Sequence, residues 1–308
     1  MKHAIIGSGA IGIFYGSLLV KAGEEVHFLL HSDYQHAKEN GLEIDSDIFG
    51  HSNLTSVHAY NDTAQMPVCD YIFICLKTTE NARLLPRLLP PIVGKDTIII
   101  LIQNGLGVER DVATMFPEAQ IAGATAFISC SKIGPGHIRH QDHGDLSIGN
   151  YNVQDFSKLE NLAAILSAQK ITCTTTQDLA KLRWRKLVWN IAFNGMTVVL
   201  DCQTDALMAN RSLVHLSKQI MEEVILGAKA CGVTLNPNLP DETIVYTTAM
   251  SAYSPSMKLD YDYHRPMEIH YIYEVPVQEA QNAGYYMSKV DMLAQQLRFL
   301  EARNYEVV

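Results

Sequence analysis

Three polar side chains in the second half of the chain have a spacing that could support acid–base chemistry. Lys186, Asn190 and Asn194 lie four residues apart within the apolar segment 184–194. On a helix that turns about 100° per residue, they lie nearly above one another. A lysine partly buried beside amides can have a lowered pKa and can donate a proton to a developing alkoxide. Two asparagines inside a helix call for a reason, although spacing alone favours a solvated helix face.

A glycine-rich turn near the N-terminus has the pattern of a phosphate-binding loop. The segment Gly7-Ser8-Gly9-Ala10-Ile11-Gly12 follows an apolar run and opens a helical pattern. In such a loop the first glycine permits a tight turn, the second lets a pyrophosphate approach, and the third lets helix and strand pack closely. The helix N-terminus then offers N–H groups to the phosphates. A second β-rich run at 26–30 completes a β-α-β unit, so the context favours a dinucleotide site over an empty glycine turn.

The residues after this second run bear on the choice between NAD and NADP. A carboxylate directly after the strand would bind the ribose of NAD, whereas a basic residue would bind the 2′-phosphate of NADP. Here Leu30 is followed by His31, Ser32 and Asp33. His31 and Ser32 can hydrogen-bond a phosphate, although a neutral imidazole is a weaker anchor than arginine. We favour NADP and leave NAD open, because Asp33 could serve the ribose if the loop bends. The alternative is that residues 31–33 only cap the next helix.

Polar residues also follow two later β-rich runs. Lys77 comes directly after the run 71–76, and Asn104 follows the run 98–103. Ligands of open α/β sheets bind outside the carboxyl ends of the strands, so both residues are placed to meet a cofactor or substrate. Each alone is more typical of a turn. Glu268 lies at the start of a predicted helix, where a carboxylate also favours the helix dipole.

Histidines and cysteines give no pattern of a metal site. His137, His140 and His143 are spaced by three, which does not converge on one face of a strand, and there is no His-Glu-x-x-His pattern. The six cysteines show no Cys-x-x-Cys spacing, and most lie in apolar runs, as is typical of reduced core residues of a cytosolic protein. We therefore expect no metal.

The order of apolar and amphipathic stretches predicts two domains. β-rich runs alternate with helical stretches at first, which indicates a parallel sheet covered by helices. The polar stretch 137–149 looks like a hairpin, hence an antiparallel addition at the end of the sheet. From about residue 180 the pattern becomes helical. The fold class is therefore α/β, with an N-terminal Rossmann-type dinucleotide-binding domain over 1–180 and an all-α C-terminal domain over 181–308. The predicted strands are 4–6, 26–30, 71–76, 97–102, 121–127 and 171–176, and the predicted helices are 11–22, 79–88, 108–115, 157–169, 182–200, 206–231, 241–252, 266–283 and 287–303.

Composition narrows the functional classes. The length of 308 residues suits two domains. A net charge of −9 makes a poor general binder of nucleic acid or anionic membranes. No stretch approaches the roughly 18 apolar residues of a membrane span, and the N-terminus is not a signal peptide. We expect a cytoplasmic protein with neither nucleic acid nor membrane as a partner.

Taken together, these segments resemble the ketopantoate reductase (2-dehydropantoate 2-reductase) family over nearly the whole chain. The resemblance implies a Rossmann domain joined to a helical domain, an active site in the cleft, and reduction of a 2-keto acid with NADPH. It rests on the order and spacing of Gly-Ser-Gly-Ala-Ile-Gly at 7–12, Leu-Lys-Thr at 76–78, Gln-Asn-Gly at 103–105, Trp-Arg-Lys-Leu-Val-Trp-Asn-Ile-Ala-Phe-Asn at 184–194, Pro-Ser-Met at 255–257, Asp260 and Pro-Met-Glu-Ile at 266–269.

The resemblance also implies roles for individual residues. Lys186 would be the general acid that protonates the carbonyl oxygen as hydride arrives at carbon, and Glu268 would organise the lysine and the cofactor side. Ser256 would bind the substrate carboxylate. The other residues that would contact the substrate or the reacting region are Asn104, Asn190 and Asn194. The residues that would bind the cofactor are Gly7, Ser8, Gly9, Ala10, Ile11, Gly12, His31, Ser32, Lys77, Asn104 and Glu268.

Several positions depart from the family pattern. His31 stands where arginine is frequent, which weakens the preference for NADP. Lys258-Leu259 replaces Leu-Gln before Asp260, and Tyr273-Glu274 replaces Asn-Gly. Asp201 and Thr204 stand where asparagines are common. We expect these changes to surround the substrate pocket, so a different 2-keto acid is an alternative substrate.

The sequence is compatible with two classes of function. The leading prediction is the NADPH-dependent reduction of a 2-keto acid, first of all 2-dehydropantoate to pantoate, as in pantothenate biosynthesis. Within enzymes, the alternative is a paralogous reductase of another branched or aromatic 2-keto acid, with NADH as a further option. The contrasting class is a catalytically silent dinucleotide-binding sensor, against which the complete set of polar site residues argues. Large apolar helix faces in the second half leave a homodimer open.

Overall fold

The computed structural model describes residues 1–306 and divides the chain into two compact units. The first comprises Met1–Gln103 and Val108–Leu179, and the second comprises Asn104–Gly107 and the chain from Ala180 onward. The predicted fold class is confirmed, because the first unit is a sheet with helices and the second is helical. The short segment Asn104–Gly107 belongs to the helical unit, whereas the sequence pattern grouped it with the first domain.

The first unit is built on one ten-stranded sheet with the order β4-β3-β9-β8-β7-β6-β1-β2-β5, and β10 pairs with β9. Neighbouring strands from β5 to β8 along this order run parallel. The central strands β1, β6 and β7 carry the continuous apolar runs that strands buried on both faces require. The strands are β1 (Lys2–Ile6), β2 (Glu25–Leu29), β3 (Leu42–Ser46), β4 (Gly50–Leu54), β5 (His58–Tyr60), β6 (Cys69–Ile74), β7 (Val93–Leu101), β8 (Gln120–Gly134), β9 (His137–Asn150) and β10 (Cys173–Thr176).

The helices of this unit connect the strands. Apolar side chains of helix and sheet form one buried core that includes Ile5, Phe14, Phe28 and Phe73. The carboxyl ends of β1, β2 and β6 lie side by side because these strands are parallel neighbours. The helices are α1 (Ala10–Lys21), α2 (Tyr34–Asn40), α3 (Asn81–Leu88), α4 (Val108–Met115) and α5 (Ser157–Ser167).

The predicted hairpin at 137–149 is wrong in its placement. The stretch is one strand, β9, and the hairpin is formed with β8, which continues to Gly134. The turn between them contains Gly136, whose φ of +62° favours glycine. The antiparallel addition itself is confirmed. The polar second half of β8 concealed the strand from an analysis of apolar runs.

The strands β3, β4 and β5 were not predicted. β3 shows the alternating burial of a half-buried strand, with Leu42, Ile44 and Ser46 inside. Five residues of alternation give a weak signal, and the polar β4 gives none.

The longest helix of the second unit is α6 (Leu179–Val199), which contributes many side chains to the buried core. The core of this unit includes Trp184, Ile191, Phe193 and Tyr273. Within the described residues 1–306, none of the helices has both the length and the apolar character needed to cross a bilayer. The remaining helices are α7 (Thr204–Ala209), α8 (Arg211–Ala230), α9 (Leu239–Ala249), α10 (Ser256–Asp262), α11 (Val275–Asn282) and α12 (Ser288–Glu306).

Two helix predictions in this unit need correction. The predicted helix 206–231 is two helices, because the Asn210 side chain accepts hydrogen bonds from the N–H groups of Ser212 and Leu213 and so starts α8. The predicted helix 266–283 becomes helical only after Glu268, and a π-helical turn at His270–Glu274 precedes α11.

Candidate functional site

The glycine-rich turn of the first unit depends on close backbone packing at two of its glycines. Gly7 follows β1 with a φ of +97°, and a Cβ there would lie 2.7 Å from the backbone nitrogen of Leu76, just after β6. A Cβ on Gly12 would lie 2.9 Å from Ile5 Cγ2 and nearer still to the carbonyl oxygen of Gly7. Both positions therefore exclude any larger residue unless the turn moves away from the sheet.

The middle glycine of the turn has open space beside it. A Cβ on Gly9 would meet no described atom within 4 Å, and α1 begins at the next residue, Ala10. Ser8 Oγ donates a hydrogen bond to the Leu29 carbonyl oxygen at 2.8 Å, which joins the turn to the end of β2. The backbone N–H groups at the start of α1 are therefore presented where a pyrophosphate could approach.

After β2, the side chains of His31 and Ser32 are exposed, whereas Asp33 is buried. Asp33 accepts hydrogen bonds from the Gly136 N–H and from Ser32 Oγ, each at 3.0 Å, and its Oδ2 lies 2.5 Å from Lys132 Nζ. Burial alone would raise the pKa of Asp33, but Lys132 and the Gly136 N–H outweigh it and lower the pKa. These bonds commit Asp33 to the β8–β9 hairpin rather than to a ribose.

The alternative that residues 31–33 only cap the next helix is also corrected. Asp33 occupies the N-cap position of α2, but its side chain makes no capping hydrogen bond there. The Asp33 carboxylate instead accepts a hydrogen bond from the turn of the β8–β9 hairpin. Gly136 lies 103 residues further along the chain, so a local sequence pattern does not indicate this contact.

A buried pair of amides locks together the loops that follow β6 and β7. Asn81 Nδ2 donates to Gln103 Oε1 at 2.9 Å, and Gln103 Nε2 donates to Asn81 Oδ1 at 2.8 Å. Gln103 Nε2 also donates to the Leu76 carbonyl oxygen at 2.7 Å. The pair thereby positions the loop that carries Lys77. No motif in the sequence singles out Asn81, whose only signal is that of a polar residue in the first turn of a helix after a strand end.

In the second unit, the polar stripe of α6 is not a solvated face. Asn190 and Asn194 are only 3% and 1% exposed. Asn190 Nδ2 donates to Asn104 Oδ1 at 3.4 Å, so the stripe meets the segment Asn104–Gly107. The solvated-face interpretation is therefore wrong.

The segment Asn104–Gly107 is held by the π-helical turn. The Leu106 N–H donates to the Tyr271 carbonyl oxygen at 2.8 Å. Gly105 has a φ of +104°, and a Cβ there would lie 2.6 Å from the same oxygen. Glycine is needed at this position for both reasons.

Two side chains on the stripe have the properties of a binding or reacting group. Burial lowers the pKa of Lys186 to about 8, which places its proton within reach of chemistry near neutral pH. The Nδ2 of Asn194 is buried and has no hydrogen-bond partner among residues 1–306. An unpaired buried donor costs about 1–3 kcal/mol, so this amide suits an acceptor on a ligand.

The remaining predicted residues lie in the same helical unit. Ser256 is the first residue of α10 and is partly buried. Glu268 is 4% exposed and directly precedes the helical turn that begins at Ile269. The structure thus brings Asn104 against Asn190 and places Lys186, Ser256 and Glu268 in one unit.

Tyr273, one of the departures from the family pattern, packs inside the helical core. Tyr273 is fully buried, and its hydroxyl donates to the Ile191 carbonyl oxygen of α6 at 3.0 Å. A Cβ on Gly195 would lie 2.7 Å from that hydroxyl oxygen. Burial raises the pKa of Tyr273, so the group stays protonated. Glu274 pairs with Arg298 at 2.6 Å. Tyr273 thus packs in the helical core, and Glu274 forms an ion pair with Arg298.

The histidines of the hairpin do not form a common cluster. His140 is buried and bonds Ser46 Oγ at 2.8 Å, whereas His137 bonds Asp45 Oδ2 at 2.8 Å. Ligand atoms of Glu43, Asp45 and His51 lie within 4.8 Å of one another. These side chains lie on the surface, and Asp45 is already bonded to both neighbouring histidines.

Both units of the chain match models of the same protein family. Residues 3–153 match the family described as ketopantoate reductase PanE/ApbA, and residues 178–301 match ketopantoate reductase PanE/ApbA C terminal. The 2-dehydropantoate 2-reductase of Nostoc sp. is 42% identical over 98% of this chain and 96% of its own length. The crystal structure of 2-dehydropantoate 2-reductase from Geobacter metallireducens GS-15 has a TM-score of 0.93 and 37% identity, covering 97% of this chain and 99% of that one. The enzyme of the same name from Methylococcus capsulatus has a TM-score of 0.90 and 31% identity, covering 99% and 98%.

Proposed function

The chain belongs to the ketopantoate reductase family, and we propose that it reduces 2-dehydropantoate to pantoate with NADPH. Members of the family are reductases that depend on a nicotinamide dinucleotide. The observation that carries the proposal is the polar stripe of α6, where a lysine with a lowered pKa lies on the same helix face as two buried amides. Relatives that carry this name at 42% identity support the choice of substrate.

Lys186 acts as the general acid of the reduction. When bound, the nicotinamide supplies a hydride to the keto carbon. Lys186 gives its proton to the keto oxygen, which becomes the hydroxyl of the product. Its pKa of about 8 keeps the ammonium form in excess at pH 7 and still allows the proton to leave readily.

The neighbouring polar residues orient the keto acid. Asn194 Nδ2, which is buried and unpaired in the described part of the chain, donates to an oxygen of the substrate. Asn190, joined to Asn104, supports the reacting region. Ser256 binds the substrate carboxylate, and Glu268 positions Lys186. Orientation of this kind contributes much of the rate enhancement, because the reacting atoms are held at the right distance.

The first unit binds the cofactor. The open space beside Gly9 and the start of α1 suit the pyrophosphate. The exposed His31 and Ser32 suit a 2′-phosphate, and the only carboxylate of that loop, Asp33, is neutralised by Lys132. These features favour NADPH over NADH. The residues of this unit assigned to the cofactor are Gly7, Ser8, Gly9, Ala10, Ile11, Gly12, His31, Ser32 and Lys77, whereas Asn104 and Glu268, which the resemblance also assigns, belong to the helical unit.

A homodimer is part of the proposal. Several large apolar side chains of the helical unit are exposed, and burial of three of them would supply an interface. They are Leu200, Met292 and Phe299. Light scattering of the purified protein measures this directly, and a monomer at micromolar concentration would contradict it.

Steady-state kinetics tests the proposed reaction. We expect the highest kcat/KM with 2-dehydropantoate and NADPH among a panel that also contains a smaller branched 2-keto acid, an aromatic 2-keto acid and NADH. A higher value for another keto acid would make the protein a paralogous reductase. Absence of turnover with every pair would leave a dinucleotide-binding protein.

A further inference from the structure

The second half of β8 crosses beside the predicted cofactor loop. Cys130 Sγ lies 3.8 Å from the carbonyl oxygen of Ala10, the first residue of α1. Lys132 is two residues further, with regular pairing to β9 between the two positions, so both side chains leave the strand on the same face. Lys132 Nζ reaches Asp33 Oδ2, in the loop after β2, at 2.5 Å.

The second half of β8 therefore passes two positions between which the adenosine ribose of a bound dinucleotide would lie. In a Rossmann-type domain the pyrophosphate lies at the N-terminus of the first helix, and the ribose 2′-position lies at the end of the second strand. Cys130 lies beside the start of α1, and Lys132 reaches the loop after β2. The Lys132 side chain keeps 38% of its surface exposed, so the pair with Asp33 does not bury it.

The charge balance around Asp33 suits a phosphate at that place. An unshielded carboxylate would repel a 2′-phosphate, but Asp33 is 4% exposed and bonded to Lys132 and the Gly136 N–H. An ammonium group has three N–H donors, and one bond to Asp33 leaves others for a phosphate oxygen. Beside it, His31 and Ser32 are exposed but supply no permanent positive charge.

We propose that Lys132 is a specificity-determining residue that binds the 2′-phosphate of NADPH, held in place by Asp33. It supplies the permanent charge that His31 lacks. The inference rests on the proposed use of NADPH. A competing explanation is that Lys132 only joins the hairpin to α2, in which case its loss would weaken the fold and would not distinguish the two cofactors.

The test measures the dissociation constants of NADPH and NADH for the free enzyme by nicotinamide fluorescence. In Lys132→Met we expect NADPH to bind at least about tenfold more weakly, since a charge-assisted hydrogen bond is lost, while NADH binding changes less than about twofold because NADH has no phosphate there. Lys132→Arg retains the ratio. The matched control is Lys95→Met, an exposed lysine at the opposite end of the sheet, near the start of β7, which leaves both constants unchanged.

Each remaining outcome decides a different point. Equal weakening of both cofactors in Lys132→Met would overturn the proposal and leave a structural role. Wild-type enzyme that prefers NADPH, with the ratio retained in Lys132→Met, would overturn the Lys132 proposal alone. Wild-type enzyme without a preference would overturn the use of NADPH and the Lys132 proposal together. If Lys132→Met does not fold, the double variant Lys132→Met with Asp33→Asn, which leaves no unpaired buried carboxylate, carries the test, and we expect the same loss of NADPH preference.

Discussion

Lys258 and Asp201 form an ion pair, with Nζ 2.9 Å from Oδ1. Both residues depart from the family pattern, and the structure shows that the two departures compensate each other. The Lys258 side chain is only 8% exposed and also pairs with Asp262. Burial would lower the pKa of Lys258, but Asp262 and Asp201 outweigh it and raise the pKa. The negative charge of Asp201 thus balances the positive charge that Lys258 adds.

The double variant Lys258→Gln with Asp201→Asn should therefore keep KM for the keto acid within about twofold of wild type, because the pair is replaced by neutral groups of similar size. Asp201→Asn alone should change the free energy of unfolding by less than about 1 kcal/mol, since Asp201 is 81% exposed. Its φ of +49° also suits asparagine. Urea unfolding and steady-state kinetics measure both effects. A tenfold rise in KM would place the pair at the substrate.

The pH dependence of the reaction follows from the lowered pKa of Lys186. In the proposed reaction the ammonium of Lys186 is the proton donor, and it is the major form below a pH of about 8. The rate of keto-acid reduction should be level below that pH and should fall above it, approaching about tenfold per pH unit. Oxidation of the hydroxy acid needs the neutral amine and should rise over the same range. Initial rates in both directions give the profile, and a reduction rate that increases through pH 8 would contradict it.

Removal of the amine should affect turnover far more than cofactor binding. Lys186→Ala should lower kcat by roughly 10²–10⁴-fold, the range for a lost general acid. The dissociation constant of the cofactor should stay nearly the same. Lys186→Arg is the matched variant: it retains a positive charge but does not release its proton near neutral pH, so it should also be slow. Wild-type activity in Lys186→Ala would remove the residue from the mechanism.

Substitutions of Gly9 and Gly12 in the glycine turn should have different effects. Gly9→Ala should retain the free energy of unfolding, because a Cβ there meets no described atom within 4 Å, and should weaken cofactor binding because the pyrophosphate needs that space. Gly12→Ala should lower the stability by about 1–3 kcal/mol, since its Cβ would overlap Gly7 and Ile5. Thermal unfolding and cofactor titration separate the effects. A stable Gly9→Ala that binds the cofactor normally would exclude this side of the turn from the site.

Asn194 should show opposite effects on stability and on substrate binding. Asn194→Leu removes a buried donor without a partner in the described structure, so the free energy of unfolding should stay level or rise by about 1 kcal/mol. KM for the keto acid should rise because the substrate loses a hydrogen bond. The control on the same helix is Thr197→Val, whose hydroxyl already donates to the Phe193 carbonyl oxygen at 2.7 Å. It should lose stability and keep KM. The reverse pattern in the two variants would make Asn194 a structural residue.

Local patterns in the sequence predicted much of this molecule. The glycine turn at 7–12 combines fixed spacing with an adjacent strand and helix, and the structure shows the close packing of Gly7 and Gly12 that such spacing requires. The spacing of Lys186, Asn190 and Asn194 gave their common helix face, because the period of an α-helix is a property of the backbone. Whether that face was solvated or buried could not be predicted, since burial depends on the helices packed around α6.

The sequence by itself determined the fold type of each unit, the glycine turn at 7–12 and the order of the polar candidate residues, because each is encoded within one element or two adjacent ones. Only the tertiary structure decided the partners of those residues. Asp33 meets Lys132 and Gly136 through the β8–β9 hairpin, Asn81 meets Gln103 across two strand ends, and Tyr273 fills the core against Ile191. These contacts join positions far apart in the chain, and long-range pairing depends on sheet register and side-chain packing rather than on local periodicity.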